Sequence, residues 1–384
     1  MTVDQRRLTA LRDEVRQAID AGHIPAAQFA LAQHGEVIAF ESLGDATDAD
    51  RFCLFSATKP IVASVVWQLL GEGKLDLSAP VRDLWPEFAA NGKETVTLEQ
   101  VLLHTCGFPT ATIDAEHLAT RAGRARAMEA WGLEWEPGST FEYHATSAHW
   151  VLSELVARAS GEDLNEALRA RVLEPSGLDR VELGVPLARQ ADVKKCVVTG
   201  EHAVQALEEV TGAPVDSAVM EASFTSTLGF ANDPGTLALG VPGANAVSDA
   251  AGLAMFYQRV LHNPDDVWRP DILRVATSEI RNALPSGMVK NAHANRTIGM
   301  CLAGSDSHDI EIPSRGITLS LRLFGLTASA RTFGHGGFGG QAGWADPETG
   351  LSFAFLTNGL DRDAVRGAQR DSKISSLAAL CVKN

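Results

Sequence analysis

The sequence predicts an α+β protein: an antiparallel sheet flanked by helices and formed by both chain ends, with a mainly helical domain inserted between them. Two patterns predict it. Short apolar or alternating runs, the mark of strands, occur before residue 60 and again after residue 296, whereas between about 80 and 260 apolar residues recur mostly at helical spacing. The 384 residues are 45% hydrophobic and 21% charged, enough for a substantial core and for about two domains. The expected division is 1–79 with 290–384 as the sheet domain and 80–289 as the helical one.

In chain order, Leu8, Leu11, Val15 and Ile19 share one face of an amphipathic first helix. Runs 29–33 and 36–40 flank His34-Gly35 and read as a hairpin. The apolar run 52–55 leads into Ser56-Ala57-Thr58-Lys59-Pro60, and 61–70 is apolar on nearly every side, which marks a helix buried within a domain. Pro60 falls in its first turn, where a missing N–H does little harm, and Gly71 and Gly73 stop it. Helices follow over 98–104, 121–131, 147–158 and 164–173, broken by turns such as Glu136-Pro137-Gly138. The stretch 213–246, rich in Gly, Ala, Ser, Thr and Pro, reads as long surface loops. Strands return over 297–302, 317–324, 331–333 and 351–357, and 361–381 closes the chain as a helix. A site would lie in the crevice between sheet and helical lobe.

Charge narrows the function. With 33 Lys+Arg against 48 Asp+Glu the net charge is −15, a surface that repels phosphate backbones and anionic lipid, so neither nucleic acid nor a membrane is an expected partner. No run of about 18 apolar residues suggests a membrane span. The N-terminus lacks a basic region followed by an unbroken apolar stretch, and the expected location is the cytoplasm. Five cysteines without a C-x-x-C pair read as buried, reduced thiols, not as a disulfide framework or a zinc site. The oligomeric state is left open.

Three places can carry chemistry. Ser56 and Lys59 stand three apart at a helix start and so share a face. Lys59 is the only charged residue between Arg51 and Glu72; desolvation there would leave a neutral amine able to take the serine proton. Tyr143, one of only two tyrosines, follows a Pro-Gly turn and precedes a helix, where a phenol can relay a proton beside Lys59. The other, Tyr257, sits in an apolar helix and reads as packing. The block 334–340, Gly-His-Gly-Gly-Phe-Gly-Gly, allows close backbone approach, and the N–H of Phe338 can join that of Ser56 in an oxyanion hole. His104 reads as a structural hydrogen-bonding residue, while His144 and His149 either line the cleft or flank a helix start. G-x-S-x-G, H-E-x-x-H and G-x-x-x-x-G-K-[ST] are absent, and no G-x-G-x-x-G is expected to follow a strand.

With Gly73-Lys74-Leu75-Asp76-Leu77, Val101-Leu102-Leu103-His104-Thr105, Asp346-Pro347 and Asn358 in the same order, these motifs resemble the penicillin-recognising serine hydrolases. The likeness is to the class C β-lactamase-like branch that includes the family VIII carboxylesterases. It implies a β-lactamase/transpeptidase-like fold and a cofactor-free, metal-free reaction through an acyl-enzyme. Ser56 matches the nucleophile, Lys59 its neighbouring base and Tyr143 the tyrosine of Tyr-x-Asn, with the primary base left between Lys59 and Tyr143. His335-Gly336-Gly337 matches the Lys-Thr-Gly strand motif, and with His144 and Ala145 these are the expected substrate-binding positions. Phe338 holds the second oxyanion position.

Two departures stand out. Ala145 replaces the Asn of Tyr-x-Asn, and His335 replaces a charged Lys; both favour a small or medium neutral ester over a β-lactam. The resemblance also allows a β-lactamase, a peptidase or amidase acting on D-residues, an acyltransferase, or a catalytically silent ligand-binding relative.

Overall fold

The N-terminal hairpin of Ala26–Gln33 and Glu36–Gly44 pairs with a strand from the other end of the chain, Leu351–Thr357, in register from Ala27 opposite Thr357 to Gln33 opposite Leu351. The computed structural model describes residues 3–286 and 292–382. From that seam the six-stranded antiparallel sheet continues through Gln341–Asp346, Phe333–Gly337 and Cys301–Leu302. His34 (φ 56°) and Gly35 (φ 80°) both adopt positive φ, the geometry of a two-residue turn whose twist suits a hairpin. Ala26–Gln33 and Leu351–Thr357 are buried throughout, including the polar Gln28, Gln33, Ser352 and Thr357, so neither shows the burial alternation of a half-exposed strand.

One face of the sheet is covered by the terminal helices Gln5–Asp20 and Ala364–Ala379, with Leu11, Val15 and Ile374 packing on Phe29, Phe353 and Phe355. The other face carries the helix Ala250–His262, and here the expected boundary needs correction. That helix falls inside the 80–289 segment yet packs on the sheet, and its Gln258 amide donates to the Ala32 carbonyl at 3.0 Å. Thr58–Gly71, from the N-terminal segment, lies instead against Ser147–Ser160 and Pro270–Ser278. One apolar cluster holds residues of both. The expected helix Thr58–Gly71 is buried on all sides, with Ile61, Val65, Trp67 and Leu69 in that cluster.

Other expectations also shift. The stretch 213–246 is not loop: it forms helices Ser217–Asn232 and Pro234–Leu239, started by the carboxylates of Asp216 and Asp233, which accept from the first free N–H groups. Small residues hid the first, because it buries only Phe224 and Ala231. The glycine block is itself a strand, Phe333–Gly337. Gly334 and Gly337 are needed there, since a Cβ would lie 2.2 Å from the Gly343 carbonyl and 2.4 Å from the Leu54 carbonyl respectively. Ile317–Leu321 pairs with an unexpected strand, His308–Ile312, in a separate hairpin. All five cysteines are free and buried, and among the described residues no helix is long and apolar enough to cross a membrane.

The segment 294–302 is pinned beside the central helix. Trp67 donates its indole N–H to the Ile298 carbonyl at 2.7 Å, and Gly299, at φ 110°, seats so closely on Ala63 that a Cβ would lie 2.4 Å from the alanine methyl. This fixes where Arg296 must stand.

Candidate active site

A short 3-10 turn, Phe55–Ala57, feeds the central helix. Phe55 takes φ 45°, a conformation a bulky side chain adopts only when its surroundings impose it, and it presents the half-buried Ser56 at the helix entrance. Lys59, 1% exposed, lies one turn on. Its Nζ is 2.8 Å from the Ala145 carbonyl, 2.8 Å from the Gly243 carbonyl and 3.2 Å from Ser56 Oγ. A neutral amine has two N–H bonds and one lone pair. With both N–H groups taken by carbonyls, the lone pair is left for the serine hydroxyl. Burial drives the Lys59 ammonium well below its ordinary value, and the positive charge of Arg296 adds to the effect.

Tyr143 lies with its ring centroid 4.8 Å from Lys59 Nζ. Its hydroxyl is buried and faces that of Ser56. Burial pushes the phenol up to about 12, although the Arg296 charge and the Ser56 hydroxyl pull the other way. Tyr143 is therefore a protonated phenol, suited to giving a proton and not to acting as a phenolate. His104, in the left-handed region at φ 58°, stacks against it at 4.8 Å and accepts the His144 N–H through Nδ1 at 3.2 Å, the structural role expected of it.

His144 itself does not line the cleft. It is fully buried; Nδ1–H donates to the Glu142 carbonyl at 2.7 Å and Nε2 accepts the Phe108 N–H at 3.2 Å, so neither nitrogen is left for a substrate. Burial lowers it to about 4, and it braces the loop that carries Tyr143. Ala145 exposes its methyl and contributes its carbonyl to Lys59. His149 is buried, its ring against Gly243, where a Cβ would lie 2.6 Å from the imidazole Cγ.

On the sheet side, His335 is buried, and its Nδ1 meets the Gly336 carbonyl at 2.6 Å. Its Nε2 accepts from Arg296 Nη1 at 3.2 Å. Burial and the Arg296 charge hold the imidazole neutral, well below its usual range. The positive charge missing from His335 is thus supplied next door by a residue not anticipated. Arg296 lies 4.9 Å from the Tyr143 ring centroid and 5.5 Å from that of Phe141; its Nε is buried, and among the described residues that Nε has no hydrogen-bond partner and the guanidinium makes no ion pair. A signal was present: between Lys290 and Asp306 it is the only charged residue, the same pattern that marked Lys59.

Phe338 follows the strand whose last residue, Gly337, sits on the Leu54 carbonyl, so its backbone is brought to the turn bearing Ser56. Its ring, 38% exposed, stands edge-on between Phe55 at 5.9 Å and Phe224 at 5.2 Å. A cavity of about 380 Å³ opens beside the site, lined in part by Phe141, Arg296, Gly336, Gly337 and Leu323.

The sequence profile of the Beta-lactamase family matches residues 11–376. The chain is 28% identical over 328 residues to the esterase/beta-lactamase LipL of Mycobacterium tuberculosis (strain ATCC 25618 / H37Rv), covering 80% of this chain and 69% of that one. It is 33% identical over 205 residues to the esterase EstB of Burkholderia gladioli, a match to 46% of this chain and 52% of the relative, about half its length. The crystal structure of a family VIII carboxylesterase superposes with a TM-score of 0.73 at 24% identity, covering 97% of this chain and 99% of that one, a likeness of fold.

Proposed function

The chain belongs to the Beta-lactamase family, and within that family we propose that it is a serine hydrolase acting on small to medium esters through an acyl-enzyme. The observation that carries this reading is the Lys59 amine, which has two carbonyl acceptors and turns its third direction to Ser56 Oγ at 3.2 Å. Ser56 gives its proton to that lone pair as Oγ attacks the ester carbonyl. The N–H groups of Ser56 and Phe338 hold the oxyanion. On collapse the C–O bond to the alcohol breaks, Tyr143 protonates the departing alkoxide, and Lys59 returns the serine proton to Tyr143. Water then attacks the acyl-serine with Lys59 again as base, releasing the acid and restoring Ser56.

An ester is favoured over a β-lactam by the methyl of Ala145, which offers no side-chain amide to a substrate amide. The names of the relatives, an esterase/beta-lactamase and an esterase, fit the same substrate class. The loss of a cation at position 335 carries less weight, because Arg296 stands beside it. The test is a panel of p-nitrophenyl esters, a chromogenic cephalosporin and D-amino-acid amides, with intact-mass detection of the acyl adduct. Clear ester turnover with an adduct that disappears in Ser56→Ala is the expected result. Faster opening of the cephalosporin, or ester turnover that survives Ser56→Ala, would overturn it.

A further inference from the structure

Resting on the reading that Lys59 deprotonates Ser56, we propose that Arg296 is a positioning residue that keeps Lys59 a free amine, so that a residue from the far end of the chain sets the lower pH limit of acylation. Tyr143 carries both basic side chains within 5 Å of its ring centroid, the Lys59 amine at 4.8 Å and the Arg296 guanidinium at 4.9 Å. A guanidinium does not give up its proton in a protein, so of the two basic groups Lys59 is the one that yields.

The remaining neighbours leave this effect unopposed. Ser56 faces Lys59 from its own turn, Tyr143 from the loop before the Ser147–Ser160 helix, His149 from that helix, His104 from the turn after Leu98–Leu102, and His335 from the Phe333–Gly337 strand. The three imidazoles are held neutral, well below their usual range, by burial first and by the Arg296 charge. Among the described residues no carboxylate pairs with Lys59 or Arg296.

A buried arginine is ordinarily neutralised by a carboxylate. Arg296 instead meets the lone pair of a neutral His335 and the faces of two rings, partners that hold the guanidinium without cancelling its charge. Its backbone is fixed by paired hydrogen bonds with Asn282, at 3.0 and 3.1 Å, and Asn282 is tied by its side chain to the Leu103 carbonyl at 2.9 Å. The charge is therefore held in place from both lobes.

The test uses the intact protein and an uncharged ester, p-nitrophenyl acetate, with kcat/KM measured from pH 5 to 10 for the wild type, Arg296→Gln, Arg296→Met and Arg296→Lys. Lys59 works when unprotonated, so loss of the neighbouring charge must move the acid limb to higher pH. The expected shift is about one unit or more, the usual scale for a nearby charge, or about tenfold slower acylation on the acid side, with the high-pH plateau kept within severalfold. Arg296→Lys, whose own ammonium can yield its proton at this buried position, should place the limb between the wild type and Arg296→Gln. Arg296→Gln, which retains a donor for His335, guards against a folding defect in Arg296→Met, and thermal melting identifies one. A rate reduced equally at every pH would overturn the proposal, as would an effect confined to esters bearing a carboxylate, which would make Arg296 a substrate anchor. Absence of a Ser56 acyl adduct in the wild type would instead sink the hydrolase reading itself.

Discussion

Lys59 and Lys93 are both buried, at 1% and 0% exposure, both donate to backbone carbonyls, and both lie over an aromatic ring, at 4.8 Å from Tyr143 and 5.2 Å from Phe88. Only one of them can be a base. Lys93 has three carbonyl partners, Ala90 at 2.7 Å, Glu129 at 3.1 Å and Trp131, which together use all the N–H groups of an ammonium. Burial lowers it to about 8, and the Glu129 carboxylate opposes that fall. It ties the end of the Arg121–Ala130 helix to the preceding turn. Lys59 has two carbonyls and a hydroxyl, and its nearest fixed charge is positive. Burial alone does not make a catalytic amine. The third partner and the sign of the neighbouring charge decide.

The largest effect should separate the two lysines by activity. Lys59→Met is expected to lower kcat/KM on a p-nitrophenyl ester by at least about a hundredfold, the scale of a lost general base, while Lys93→Met keeps it within about threefold. Comparable losses in both, with both proteins folded, would break the distinction. Tyr143→Phe comes next. The phenol is held up to about 12, and the proposed mechanism makes it the proton donor, so it should matter most for poor alkoxide leaving groups. An ethyl ester should slow about a hundredfold and a p-nitrophenyl ester much less. Equal losses on the two esters would show that Tyr143 serves some other step.

How far these contrasts could be read from the sequence follows from the range of the contacts. Ser56 and Lys59 are one helical turn apart, so a local rule brings them together, and Tyr143 stood out through the scarcity of tyrosine. Arg296 reaches Tyr143 only because Trp67 and Ala63 hold the 298–299 backbone, contacts between residues more than 200 positions apart. The side-chain direction of His144 was likewise illegible, since it is set by the Phe108 N–H across a loop. The glycine block hid a strand because glycine lacks intrinsic strand preference; the strand exists through its register with Gln341–Asp346, His335 opposite Gly343. Ser217–Asn232 was missed because one buried aromatic, Phe224, gives too little periodicity to mark a helix.

Stability should reverse the order of the lysines near neutral pH. Lys93→Met strands three carbonyls and is expected to cost about 1–3 kcal/mol, seen as a lower Tm with activity kept. A Tm unchanged within a degree would show that those carbonyls find other donors.

The pH dependence of stability is the most discriminating comparison, because it reads proton occupancy directly. A lysine whose folded pKa lies below its unfolded value of about 10.4 binds more protons when unfolded throughout that window, so it adds stability as pH rises through the window. For Lys93 the window opens at about 8. The difference in unfolding free energy between wild type and Lys93→Met should then be flat from pH 6 to 7 and move in favour of the wild type between about 8 and 10. For Lys59, whose folded value is driven much lower, the window opens earlier. If it is a free amine at neutral pH, the difference between wild type and Lys59→Met already moves toward the wild type from pH 6 to 8, by up to about 1.4 kcal/mol per unit. Denaturant melts of the three proteins at pH 6, 7, 8 and 10 provide the comparison. A Lys59 difference as flat as that of Lys93 between pH 6 and 7 would mean that the amine beside Ser56 is protonated, and with it would go the acceptor on which the chemistry of Ser56 depends.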